Sequence, residues 1–221
     1  MTWTLHWLEA SGDLRPWRAT IEREVAIARE AVAGVLPPPP LDILVERGPG
    51  AAIPETGTVG RAYRANLFSL TLDPDNPNFA RALAEGDLRR TAVHEAHHCL
   101  RMAGPGYGWT LGEALVSEGL AGRFVSHLFG TPPEPWERAV TDAVLEANLP
   151  DAAALAGKGH DHGAWFFGLG GRYPRWLGYT LGYRIVGDWL RDEPNPGGGR
   201  WVDVPAHEVL RAARGRTLAA T

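Results

Sequence analysis

Residues His94-Glu95-Ala96-His97-His98 fit the pattern H-E-x-x-H. In a helix, His94 and His98 stand one turn apart and about 40° apart around the axis, so two imidazole nitrogens share one face and can hold one zinc ion. Glu95 lies about 100° round from His94 and about 60° from His98. It is close to such a metal but too offset to be an equal ligand, which suits it to hold a water and act as general base.

Zinc hydrolases use a third protein ligand and leave a fourth position for water. The next helical pattern, Leu111 to Phe129, has an inward stripe of Leu111, Leu115, Gly122, Val125 and Phe129, and Glu118 falls within it. That makes Glu118 the better third ligand. Its competitor Glu113 sits about 140° round the helix, where Thr110-Leu111-Gly112-Glu113 reads as a capping box. Gly119 and Gly122 are expected to let this helix approach the motif helix closely. His97, on the far flank of the histidine pair from Glu95, is given a supporting or surface role, and Cys99 that of a small buried hydrophobe.

Attack on a carbonyl creates an oxyanion that needs a donor besides the metal. Tyr179 and Tyr183 lie one turn apart on a face with Trp176, Val186 and Leu190, and either could reach in; alternatively both are core tyrosines. His160 and His162, in Gly159-His160-Asp161-His162-Gly163, are rival donors. A solvent-exposed loop is the favoured reading of that segment, with an ion site as another. Trp165, Phe166 and Phe167 are expected in the core.

These residues need elements to position them. Leu14 to Val35 has the period of an amphipathic helix and stops at the Pro37 to Pro40 run. Leu41 to Val45 and Leu67 to Leu72 read as strands, with Gly48 to Gly60 loop-like between them. From Asp87 the pattern turns helical: Leu88 to Met102, Leu111 to Phe129, Trp136 to Ala147, Pro174 to Leu190 with Pro174 in the first turn, and Ala206 to Ala213. Gly157 to Gly171 reads as irregular. Strands first and helices after give an α+β layout. One domain over 1–221 is expected, with helix and sheet in 1–75 and the helical metal-site part in 76–221.

The 221 residues carry a net charge of −4 and 44% hydrophobic content, enough for a sizeable core. Acidic and basic residues are interspersed, Lys158 is the sole lysine, and no basic stripe exists to attract nucleic acid. One cysteine excludes an internal disulfide and fits a reducing, cytoplasmic setting, leaving metal ligation to histidine and carboxylate. No export signal is read at the N-terminus and no stretch of about 18 apolar residues occurs, so no membrane association is expected.

His94-Glu95-x-x-His98, with Glu118 inside Ser117-Glu118-Gly119-Leu120-Ala121, resembles the gluzincins, whose third ligand is a glutamate at about this separation. The Glu-Gly-Leu-Ala context and Gly178-Tyr179-Thr180-Leu181-Gly182-Tyr183-Arg184-Ile185-Val186 look more narrowly like a bacterial family of predicted zinc-dependent proteases, classed as a domain of unknown function. The resemblance covers roughly Leu67 to Leu190. It implies a zincin-like fold, with a small sheet packed on the motif helix and an edge strand, expected at Leu67 to Leu72, that takes extended peptide. It also implies Zn2+ as cofactor and a peptide or protein as substrate. The other readings are a zinc-stabilised module that binds peptide or a partner without cutting, against which the intact Glu95 argues, and a hydrolase of a non-peptide amide.

Overall fold

A computed structural model describes residues 2–219, and the chain divides into two compact units that meet in sequence at Ala103 and Gly104. The motif helix lies in the first unit, with the sheet.

The first unit contains β1 (Trp3–Leu8), α1 (Arg18–Ala33), β2 (Leu41–Arg47), β3 (Thr58–Arg64), β4 (Leu67–Leu72), α2 (Phe79–Ala84) and α3 (Asp87–Ala103). The sheet order is β1-β2-β4-β3, with β1, β2 and β4 parallel and β3 antiparallel to β4. Parallel neighbours need a crossover, which α1 supplies between β1 and β2. Leu41, Ile43 and Val45 of β2 and Phe68, Leu70 and Leu72 of β4 are all buried. The other face carries, beside Leu8 and Leu44, polar residues that pair across strands, as His6 with Asp42 at 2.7 Å and Thr71 with Glu46 at 2.9 Å. One face is thus core and the other solvated. Ile21, Val25, Ala28 and Val32 of α1 and Leu88, Ala92, Ala96 and Cys99 of α3 contribute the helical side of that core. The buried Glu24 accepts from Arg89 Nε at 2.6 Å and so ties α1 to α3.

Two sequence expectations change here. Leu67–Leu72 is interior, flanked by β2 and β4's antiparallel neighbour β3, so the edges are β1 and β3. Thr58–Arg64, part of it expected as loop, is a strand whose glycine, two arginines and scarcity of buried side chains are the composition of an edge. β1 had no expected element, although Trp3, Leu5 and Trp7 alternate with Thr4 and His6 in the half-buried, exposed pattern of a second edge.

The second unit contains α4 (Leu111–Phe129), α5 (Asp142–Glu146), α6 (Ala152–Ala156), α7 (His162–Phe167), α8 (Leu177–Asp192), α9 (Gly198–Asp203) and α10 (Ala206–Ala213). Its core includes Leu115, Leu120, Phe166, Leu181, Ile185 and Trp189. α4 and α8 pack backbone to backbone. A Cβ on Gly119 would fall 2.1 Å from the Gly182 carbonyl oxygen, and one on Gly182 would fall 2.3 Å from that of Leu115. Gly122 likewise leaves room for the Glu137 carboxylate and the Tyr183 ring. Gly119 and Gly122 thus seat α8 and the turn around Glu137 rather than the motif helix, a correction to the sequence expectation.

The helix expected over Trp136 to Ala147 is broken into a 3-10 turn at Pro135–Arg138 and α5, because Thr141 is extended at ψ 161°. α8 starts at Leu177, past Pro174, since Trp176 takes a left-handed φ of 70°. The segment expected as irregular contains α7, whose first turn is capped by Asp161 accepting from Ala164 N at 2.9 Å and whose end is Gly168 in the left-handed region. Among the described residues no helix is long and apolar enough to cross a membrane.

Candidate metal centre

α3 runs without glycine or proline from Asp87, whose charge suits the N-terminal end of the helix dipole, to the Gly104-Pro105 stop. Helical continuity stacks His94 over His98, and their rings meet at 4.7 Å and 81°, edge to face. His94 is half-buried and His98 buried, so the pair faces outward only at one end. Glu95 is buried beside them and lies directly beneath β3. A Cβ on Gly60 would stand 2.3 Å from Glu95 Cγ and 2.6 Å from its Oε1, so glycine at this position is what admits the carboxylate.

His97 is fully buried, with its ring 6.3 Å from that of His98, which removes the surface alternative and leaves a supporting role. Cys99 is buried as expected, and burial, helped by the nearby Glu95 charge, pushes its thiol up to about 12. A thiol so hard to ionise is a hydrophobe, not a ligand or nucleophile.

On α4, Thr110 and Glu113 form the expected capping box. Thr110 Oγ1 accepts from Glu113 N at 3.2 Å, and Glu113 Oε2 accepts from Thr110 N at 2.9 Å and from Trp109 N at 2.8 Å. The Thr110 amide is the largest cause holding the Glu113 carboxyl below its usual range. Glu113 is therefore committed to the helix end, about one and a half turns before Glu118, which is buried.

Tyr107, which carried no expectation from the sequence, donates its hydroxyl to Glu118 Oε1 at 2.6 Å. Its backbone is held in turn, because Ser117 Oγ donates to the Tyr107 carbonyl at 2.7 Å. A short glycine-flanked stretch ahead of a helix gives no spacing rule from which this contact could be read. The His162 ring lies 6.4 Å from Tyr107 and stacks on Phe166 at 4.3 Å and 21°. His162 is thus the first residue of a helix within an aromatic group, not a free loop residue. His160 is half-buried, and burial holds its imidazole below the ordinary histidine value against the raising effect of the Trp109 backbone and Asp161.

The two tyrosines expected as oxyanion donors separate. Tyr179, half-buried, joins the aromatic group through edge contacts to Phe166 at 5.1 Å and Trp176 at 5.6 Å. Tyr183 is buried, its hydroxyl is 3.1 Å from Ser126 Oγ and its ring lies 3.6 Å beneath the Arg123 guanidinium. Ser126 is roughly 12 Å further along the α4 axis than Glu118. Tyr183 thus packs against Arg123 and Ser126, a little over two turns along α4 from the candidate ligand.

His94, His98 and Glu118 each offer one ligand atom, and these atoms all lie within 4.8 Å of one another. Ligands about 2.0–2.2 Å from a tetrahedral zinc stand roughly 3.4 Å apart, a separation of the same order. Two imidazole nitrogens and one carboxylate oxygen are also the donor chemistry of hydrolytic zinc sites. The residues fit the ion.

An α+β chain with a small sheet and this donor set has the make-up of a zinc-dependent protein. Comparison with known families agrees: the chain belongs to the family described as "Predicted Zn-dependent protease (DUF2268)", whose model matches residues 30–211. No curated protein and no solved structure matched the chain.

Proposed function

We propose that this protein is a zinc-dependent peptidase of gluzincin type with a zincin-like fold, in which His94, His98 and Glu118 bind the metal and Glu95 is the general base. The observation that carries the reading is the convergence of the three ligand atoms within 4.8 Å on a helix pair whose motif also supplies Glu95. When bound, zinc supplies Lewis acidity toward water and the scissile carbonyl. Glu95 then takes the proton of the attacking water and passes it to the leaving amine, two transfers within reach of one carboxylate. Its position beneath Gly60 restricts the rotamers it can adopt and so orients it. Tyr107 holds Glu118 in place through the 2.6 Å hydrogen bond to its Oε1. Tyr179 and His162, in one aromatic group with Tyr107, are the donors we assign to the oxyanion.

The outer edge of β3 beyond Thr58, whose carbonyl accepts from Ile53 N at 3.2 Å, is the surface for the substrate. An edge strand offers unpaired N–H and C=O groups at every second residue, and an extended peptide can add to it by main-chain hydrogen bonds. β3 carries Gly60 over the general base, so a peptide paired with it would pass close to Glu95.

The test combines elemental analysis with cleavage of a mixed peptide library. Wild type should hold one zinc per chain and cut; Glu95→Gln should keep the zinc and lose cleavage by the 10²-fold or more that general-base loss brings; His94→Ala and Glu118→Ala should lose the zinc. Zinc retained by both ligand variants, or a zinc-loaded wild type that cuts nothing, would overturn the proposal.

A further inference from the structure

Arg123, Arg184, Arg191 and Arg216 line an open groove of about 620 Å³ in the second unit. Three of them have carboxylate partners: Arg184 pairs with Asp142, Arg191 with Asp188 at 2.9 Å, and Arg216 with Asp192 at 2.8 Å. Asp188, the one carboxylate on the groove wall, is buried and also accepts from Thr217 N at 3.0 Å, so its oxygens are engaged.

Arg123 differs from the other three. Its Nε donates to the Tyr183 carbonyl at 3.0 Å and its guanidinium lies 3.6 Å over the Tyr183 ring. Gly187 makes the space, since a Cβ there would stand 2.2 Å from Arg123 Nη2. Backbone, ring and glycine together fix this fork, yet among the described residues it forms no ion pair with a carboxylate. Burial is the largest cause lowering the Arg123 pKa, offset in part by Tyr183 and by the Glu137 carboxylate. A preorganised, partly desolvated guanidinium outside any carboxylate ion pair is a binding group for an anion.

The directions of approach select the anion. Arg184 and Arg191 are seven residues apart on α8, about 20° from alignment on one face; Arg123 comes from α4, and Arg216 from the chain after α10. A planar carboxylate satisfies one fork, whereas a tetrahedral oxyanion presents acceptors to several at once. The volume lies within the roughly 300–1,000 Å³ of small-molecule sites, leaving room for an organic part beside the anion.

We propose that this groove binds a phosphate-bearing small ligand, with Arg123 as the fixed fork and Arg184 and Arg191 closing on the same oxyanion. The site is separate from the metal centre and does not depend on the peptidase reading.

Calorimetric titration with inorganic phosphate, at ionic strength held constant with chloride, tests it. The purified chain should bind phosphate saturably at one site and bind it as well after chelator treatment and dialysis. Arg123→Gln should weaken binding at least tenfold. The double variant R184Q/R191Q should weaken it as much, and because those two side chains are largely exposed it decides the matter should R123Q not fold. Absence of saturable binding, binding indifferent to the arginine variants, or binding lost with the metal would overturn the proposal, the last by placing phosphate on the ion.

Discussion

The hydrogen bond from Tyr107 to Glu118 ties a proposed metal ligand to a residue that would not itself touch the ion. Outer hydrogen bonds orient ligands, and their loss costs about 10–100-fold in metal affinity. Tyr107→Phe removes only the hydroxyl that Glu118 accepts at 2.6 Å and leaves the half-buried ring in place. We expect zinc affinity, measured by competition with a chromophoric chelator, to fall within that range while urea stability of the chelated protein stays within about 0.5 kcal/mol of wild type. Equal zinc affinity in the two proteins would remove Tyr107 from the site. Cys99 gives the opposite case, a residue one position from a ligand that takes no part. With its thiol at about 12 and buried, folded protein at pH 8 should resist iodoacetamide, and alkylation should appear only as the chain unfolds. Modification of the native protein at the rate of a free thiol would contradict the burial.

Two glycines make predictions about elements, because in each a strand or helix rests on the missing side chain. Gly60→Ala puts a methyl group where Glu95 Cγ and Oε1 now lie, and a side chain can yield. The strand should survive while the carboxylate shifts, so peptide cleavage should drop about 10²-fold, the cost of an ångström-scale misplacement, with zinc content unchanged. Gly119→Ala meets the carbonyl oxygen of Gly182, which is backbone and cannot yield, so it should destabilise by about 1–3 kcal/mol in urea unfolding. The contrast also explains what could be read from the sequence. His94, His98 and Glu118 were legible because helical spacing alone puts the first two together and marks the third as a charge in an apolar stripe. The capping box at Thr110 and Glu113 was legible for the same local reason. β3 was not, because an edge strand needs little hydrophobicity, and with β3 unrecognised Leu67–Leu72 was taken for the edge it does not form. The partners of Gly119, Tyr107 and Tyr183 were hidden too, since tertiary packing chooses among residues equally eligible by spacing. Tyr179 and Tyr183 share a helix face in sequence, yet one joins the aromatic group around His162 and the other packs on Arg123 and Ser126.

For the whole molecule, an ion held by His94, His98 and Glu118 would link metal to stability. The three ligand residues stand four and twenty positions apart in the chain, and the unfolded ensemble does not hold them within the 4.8 Å of the folded state. A metal that binds the native chain and not the unfolded one adds RT ln(1 + [M]/Kd), about 4 kcal/mol at a thousandfold excess over Kd. For a chain of this length each kcal/mol moves Tm by roughly 2–4 °C. Stripping the zinc should therefore lower Tm by about 8–16 °C, and adding zinc back should restore it. The variants sharpen the reading. Glu95→Gln should respond to zinc as wild type does, since the base is not a ligand, and His94→Ala should be indifferent to both chelator and zinc. A wild-type Tm that ignores metal would mean that the three ligand atoms bind no ion under these conditions, and a zinc response that survives His94→Ala would place the ion on other residues. Only a response confined to proteins with all three ligands ties the fold to the proposed chemistry, because the same side chains must then both close on the ion and be brought together by the folded chain.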